Sequence, residues 1–292
     1  MSASTEEPLE LSAPIAWEQA PLLCRRDASG ADCCAWYHRP WQYLRLVGAI
    51  TTAATNRSFL VDVVREFAAD RGAARVLIPA SADYAMLAYV AEAYRLAGST
   101  LRATVVDLCR TPLMLNRWYA DRFGIDCTTH CCNALEFTDA EPFDMIVTHN
   151  FLGRFEPEDR LCLLRSWYRL LRPGGRLVTT QRIRTHQTTR TIRFSAAEVV
   201  EFGRRVEHCA AAYPGTLAIP SSELVEAALG YATAKDNHNV SDPSQLLEPL
   251  AAAGFAVSHW DRGTEAERSA DRPSAPIHDD DYRMRILAER GA

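Results

Sequence analysis

An α/β protein with a parallel sheet covered on both faces by helices is the fold that this sequence predicts. Between residues 75 and 180, short apolar runs rich in Val, Ile and Leu alternate with segments of helical period. That alternation is the signature of βαβ units, whose crossovers place helices on the sheet faces. The size agrees: 292 residues with 48% hydrophobic side chains can bury one large core and an added cap. Fourteen Gly and fifteen Pro are ordinary numbers for a globular chain and exclude a collagen-like or wholly disordered polypeptide.

The elements follow in order. Residues 1–35 are poorly periodic, with turn formers at Asp27-Ala-Ser-Gly30, and read as an N-terminal arm in extended form. Residues 36–70 carry Trp36, Tyr37, Trp41 and Tyr43 and then a helical apolar pattern through Phe59, Val63, Val64 and Phe67, which predicts a helical cap closed by Arg71-Gly72. Strands are expected at Arg75–Ile78, Ala103–Asp107, Ile125–Thr129, Phe143–Thr148 and Arg176–Thr180. Helices are expected at Tyr84–Ala97, from Thr111-Pro112, where proline sits just inside the helix start, and at Glu158–Leu171. Residues 185–240 break the alternation and read as an inserted helical lid, with helices at Ser195–Ala212 and Ser221–Leu229. A helix from Ser244 to Gly254, a strand from Phe255, a long charged connection over Thr264–Asp281 and a last alternating strand, Tyr282–Ala288, complete the chain. The core is thus residues 71–184 and 241–292.

Ligands of open parallel sheets bind beyond the carboxyl ends of the strands, at the reversal of strand order. That rule selects Pro79–Tyr84, Asp107–Leu108, Cys131–Leu135, Thr148–Leu152 and Gln181–Arg182. Asp107 ends the second strand, 24 positions beyond Asp83. A carboxylate there offers two adjacent acceptor oxygens to the hydroxyls of a ribose; the alternative is a surface aspartate that begins a turn.

In order, Arg75-Val-Leu-Ile-Pro-Ala-Ser-Ala-Asp83, Val105-Val-Asp107, Cys132-Asn-Ala-Leu135, Phe143-Asp-Met-Ile-Val-Thr148 and Leu170-Leu-Arg-Pro-Gly-Gly-Arg-Leu-Val178 resemble the class I S-adenosylmethionine-dependent methyltransferases. The resemblance spans about residues 71–184 and 244–290. It implies a Rossmann-like, doubly wound, mostly parallel seven-stranded sheet with an antiparallel last strand. It also implies S-adenosylmethionine as cofactor, held by Pro79, Ala80, Ser81, Asp83, Asp107 and Leu108, with Asn133 and Ala134 facing the adenine. Thr148, His149 and Asn150 would lie at the cofactor's substrate side. Members of the family carry glycines in the first loop, whereas Pro79-Ala-Ser-Ala-Asp-Tyr84 has none. Alanine disfavours positive φ, so an altered backbone path or cofactor approach is expected there, with Ser81 and Asp83 offered to the cofactor's ammonium or a water.

His149 has an ordinary pKa suited to removing a proton from an attacking hydroxyl or amine, or alternatively caps the following turn, and Asn150 would orient an amine through its carbonyl. His38 joins them as a polar group of the cap. Trp36, Tyr37 and Tyr43 would wall the cleft and favour a sulfonium by cation–π attraction, and Arg184 in the lid would hold a substrate carboxylate; the alternatives are core packing and a solvated arginine face. Methyl transfer to a nitrogen, oxygen or carbon of a small-molecule acceptor is the expected reaction. The alternatives are use of the aminocarboxypropyl arm, as in azetidine carboxylate synthases, and a non-catalytic cofactor-binding domain.

Charge and cysteines bound the rest. A net charge of −5 gives no general attraction to nucleic acid. No apolar run is long enough to span a bilayer, and the first twenty residues lack the basic start of a signal peptide, so a cytoplasmic setting with reduced thiols is expected. A homodimer is compatible with the sequence. Nine cysteines include no CxxC, and the spacing of Cys127-Thr-Thr-His-Cys-Cys132 does not match common zinc patterns, so no metal site is expected.

Overall fold

A computed structural model of the protein describes residues 7–24, 34–186 and 189–291. A seven-stranded sheet forms its centre, in the order β3-β2-β1-β4-β5-β9-β8. The strands are β1 (Ala73–Pro79), β2 (Thr100–Asp107), β3 (Asp126–Cys131), β4 (Phe143–His149), β5 (Leu171–Ile183), β8 (Phe255–Asp261) and β9 (Tyr282–Arg290). The first five run parallel, and β9 is antiparallel to both neighbours. The helices between them are α4 (Ala85–Ala97), α5 (Arg110–Phe123), α6 (Pro157–Leu170) and α9 (Ser244–Ala252).

Alternating side chains feed two cores. Val76, Ile78, Val105, Met145 and Val147 pack with α4 and α5, while Leu77, Val106, Ile146 and Leu177 join Leu163, Trp167, Leu246 and Leu250 on the other face. Strands buried on both faces need near-continuous apolar runs, which is why these segments were readable. At the start of β5, Gly175 is obligatory: a Cβ there would lie 2.8 Å from the Arg172 carbonyl and 3.2 Å from that of Asp144.

Two expectations about the amino-terminal region are corrected. The arm is not extended throughout, because Leu9–Leu23 forms α1. Its prolines, Pro14 and Pro21, obscured the pattern; the helix is held by burial of Ala13, Ala16, Trp17 and Ala20. The segment 36–70 is not one cap, since α2 (Ala35–Leu46) and α3 (Arg57–Arg71) part company. Leu60, Val64 and Phe67 of α3 pack in the sheet core, whereas Trp41 and Leu44 of α2 join α1 and the inserted helices α7 (Ala196–Ala212) and α8 (Ser221–Ala234) in a separate apolar cluster. A small ribbon of β6 (Thr191–Arg193) and β7 (Asp236–His238) carries the insertion. The connection over 264–281 contains α10 (Glu265–Ala270), started by a reciprocal Thr264/Glu267 capping box.

Candidate active site

Strand order reverses at β1, which pairs with β2 on one side and β4 on the other. Beyond the carboxyl ends of these strands lies a cavity of about 440 Å³, roofed by α2 and by the β7 end of the insertion. Its volume is that of a small-molecule site.

The first loop turns sharply after β1. Ala80 holds φ of +54° and donates its N–H to the Val106 carbonyl at 2.7 Å. In this glycine-free loop alanine itself takes the left-handed conformation, a strain of about 1–2 kcal/mol. Pro79 pairs with Val106 in the ladder, which sets Ala80 beside Asp107. The Asp107 Oδ2 accepts from the Ser81 N–H at 3.2 Å and Oδ1 from the Cys109 N–H at 2.7 Å. Burial lifts the Asp107 carboxyl to about 6, against the lowering effect of His38 and these two N–H groups. Leu108, Asn133 and Ala134 complete this end of the cavity.

Asp83 is differently engaged from the expectation. Arg45 Nη1 donates to its Oδ2 at 2.5 Å and the Ala85 N–H to its Oδ1 at 2.9 Å. Arg45 also reaches Glu7 at 2.5 Å, so Asp83 is half of a buried clamp between cap and core and not a free partner for an ammonium. Ser81 Oγ is turned to the Asp83 carbonyl. Pro79 and Thr148 are buried behind the loop, with Thr148 Oγ1 donating to the Pro79 carbonyl at 3.3 Å; neither lines the cavity.

His149 and Asn150 do reach the cavity, in roles unlike those expected. The His149 Nδ1 lies 2.6 Å from Thr180 Oγ1, and Arg283 Nη1 donates to its Nε2 at 3.3 Å. Burial, with Arg283 and Arg182 nearby, pushes its pKa well below the ordinary value. The ring is therefore neutral with both nitrogens occupied, a poor proton acceptor. Asn150, at φ of +53°, uses its carbonyl oxygen on the Gln181 Nε2 (3.1 Å) and the Arg182 N–H (3.0 Å), so that oxygen is not available to an amine. Arg283 and Arg182 in turn share Asp271, whose carboxylate is 4% exposed.

The cap contributes an aromatic wall. Trp36, Tyr37 and Trp41 face the cavity, with Tyr37 stacked on Trp41 at 4.8 Å and Tyr231 of α8 behind them at 5.6 Å from Tyr37. Tyr43 does not belong to it; it is buried edge-on against Trp17 at 5.7 Å. Arg184 is also buried elsewhere, donating to the Pro276 carbonyl at 3.3 Å. His38 lines the cavity, but its Nδ1 lies 3.5 Å from Cys24 Sγ, within a group of thiols.

Sequence reasoning missed Lys235, the chain's one lysine. Its Nζ sits 4.5 Å from the centre of the Tyr37 ring and 5.7 Å from that of Tyr231, and it lines the cavity. Those ring faces favour the ammonium by about 1–2 kcal/mol. Burial opposes it more strongly, joined by Arg154 and Arg184, and drives the pKa well below the ordinary value. Its position after a lid helix gave no sign of this; only its singularity among 32 basic residues marked it.

The comparisons with known proteins agree with this architecture. Residues 85–175 match the family model described as a methyltransferase domain. None of the curated proteins matches the sequence. Among solved structures, the [4+2]-cyclase SpnF aligns over 97% of this chain and 93% of its own at 15% identity, with a TM-score of 0.56. An S-adenosylmethionine-dependent methyltransferase from Clostridium acetobutylicum aligns over 86% and 96% at 10% identity and a TM-score of 0.53. The S-adenosylmethionine-dependent methyltransferase SibL aligns over 98% and 70% at 16% identity and a TM-score of 0.51. These likenesses carry the fold, a seven-stranded Rossmann-like sheet with an antiparallel strand, and the methyltransferase-domain match falls on its residues 85–175.

Proposed function

We propose that the protein binds S-adenosylmethionine and transfers its methyl group to a small-molecule acceptor inside the roofed cavity. The observation that carries this proposal is Asp107. Two backbone N–H groups fix its carboxylate, one on each oxygen, at the cavity wall beside the left-handed turn of Ala80, and each oxygen keeps a further lone pair for a ribose hydroxyl. Asn133 and Ala134 lie where the adenine would rest, and the backbone of 80–82 would border the methionine moiety.

Bound there, the cofactor supplies an electrophilic methyl group on a sulfonium, a good leaving group. The protein's share is alignment, exclusion of water and removal of the acceptor's proton. Trp36 and Tyr37 present aromatic faces that favour a cation and screen the site from solvent. Lys235, whose charged form is disfavoured by burial at the same wall, would take the proton of a hydroxyl or ammonium acceptor. Asn150 and Gln181 fix the loop after β4, where the Gly153 N–H donates to Gln181 Oε1 at 3.0 Å. The roof of α2 and the insertion favours a small acceptor over a polymer.

A second reading rests on Asp83. Its commitment to Arg45, in a loop without glycine, changes the surroundings of the aminocarboxypropyl arm, where attack on a different carbon would begin. Product analysis separates the two. Methyl transfer leaves S-adenosylhomocysteine and attack on the arm leaves methylthioadenosine. Absence of any S-adenosylmethionine binding at millimolar concentration would overturn both enzymatic readings.

A further inference from the structure

Behind the aromatic wall, four side chains from three separate parts of the chain converge. Cys24 follows α1, Cys34 precedes α2, His38 lies in the first turns of α2, and Cys109 caps α5. Their ligand atoms all lie within 4.8 Å of one another. Cys34 Sγ and Cys109 Sγ are 3.6 Å apart, Cys109 Sγ and Cys24 Sγ 3.7 Å, and Cys24 Sγ and His38 Nδ1 3.5 Å. A disulfide brings its sulfurs to about 2.05 Å, so these separations belong to another arrangement.

Separations of this size match edges of a tetrahedron of donor atoms around one metal ion. With zinc bonds of about 2.3 Å to sulfur and 2.0–2.1 Å to nitrogen, tetrahedral angles give roughly 3.8 Å between sulfurs and 3.5 Å between sulfur and nitrogen. We propose that Cys24, Cys34, His38 and Cys109 bind one zinc ion as a closed structural site. Three soft thiolates and an imidazole are a zinc donor set, and sulfurs this close leave no room for a multi-iron cluster. Binding releases the thiol protons to solvent. The surroundings suit thiolates: the Thr111 N–H donates to Cys109 Sγ at 3.4 Å at the positive end of α5, and Thr111 Oγ1 lies 3.3 Å from Cys24 Sγ. Four protein ligands complete the coordination, so the ion fastens structure and leaves no open position for substrate. It would join the ends of α1 and α2 to the turn that follows Asp107, fixing the roof against the floor of the cavity.

The ion takes no part in the proposed reaction, although Cys34 and His38 line the same cavity, and its test needs no nucleotide. The full chain is produced in zinc-supplemented medium, purified without chelator and assayed for metals by mass spectrometry. One zinc per chain, released by a mercurial, is expected. Substoichiometric zinc, with all three thiols freely reactive in the native protein, would overturn the proposal. Cys109→Ser should lose the zinc, whereas Cys162→Ser, exposed on α6, should keep it; equal zinc in both variants would overturn it as well. Where Cys109→Ser does not fold, cobalt-substituted wild type decides. Thiolate-to-cobalt charge-transfer bands and tetrahedral visible bands support the site, and their absence refutes it.

Discussion

Replacing Asp107 by asparagine changes one atom type and leaves the shape of the turn intact. The shorter contact, from the Cys109 N–H at 2.7 Å, will keep the remaining carbonyl oxygen. The new NH2 then faces the Ser81 N–H, where a 3.2 Å bond to an acceptor becomes an opposition of two donors. Toward the ligand, the side chain changes from a charged double acceptor to a neutral group with at most one. Hydrogen bonds to charged groups contribute about 1.5–3 kcal/mol each, so losing one and weakening the other costs about 2–4 kcal/mol. Since about 1.4 kcal/mol is tenfold, the affinity for S-adenosylhomocysteine should fall roughly 30- to 1000-fold. Calorimetric titration of both proteins at neutral pH measures it, with circular dichroism to establish that the fold is retained. A folded Asp107→Asn variant that binds as tightly as wild type would refute the assignment of the ribose to this carboxylate.

Four further outcomes are expected. Lys235→Met should remove most turnover at unchanged cofactor affinity while raising the melting temperature, because burial of the amine disfavours its charged form and so opposes folding; retained turnover would dismiss it as proton acceptor. Asp271→Asn strips the counter-charge from Arg182 and Arg283, which are 5% and 9% exposed in their side chains, and should destabilise by about 3–5 kcal/mol in denaturant titration. Ala80→Gly should hold or raise stability by up to about 1 kcal/mol, whereas the β-branched Ala80→Val at φ of +54° should lower it by about 2 kcal/mol; a destabilising glycine would contradict the left-handed turn. His149 is neutral in the fold through burial and its arginine neighbours, so its unfolded form binds the extra proton as pH falls below about 6.5. Stability is thus lost on the acid side, and His149→Gln should flatten that loss in melts recorded across the acid range.

The sheet was legible because parallel strands buried on both faces need apolar runs, and Val105-Val106-Asp107 shows both the run and its polar end. The site positions at strand ends followed from topology, so Ala80, Asp107, Leu108, Asn133 and Ala134 fell at the cavity. Partner choice was not legible. Nothing in the sequence showed that Arg45 would claim Asp83 together with Glu7 as its second acid, or that Arg283, 134 positions from His149, would occupy its imidazole. The thiol cluster escaped for the same reason: Cys109 lies far along the chain from Cys24, Cys34 and His38, while attention fell on Cys127-Thr-Thr-His-Cys-Cys132, whose residues lie along β3 and just past it. Such meetings are made by the packing of α1 and α2 over the sheet, and local periodicity carries no trace of them.

A crystal structure of the complex with S-adenosylhomocysteine tests the central claim most directly. Both ribose hydroxyls are expected within hydrogen-bonding distance of Asp107, the adenine against Asn133 and Ala134, and the sulfur directed toward Trp36, Tyr37 and Lys235. A nucleotide bound away from Asp107, or no binding at millimolar concentration, would contradict it.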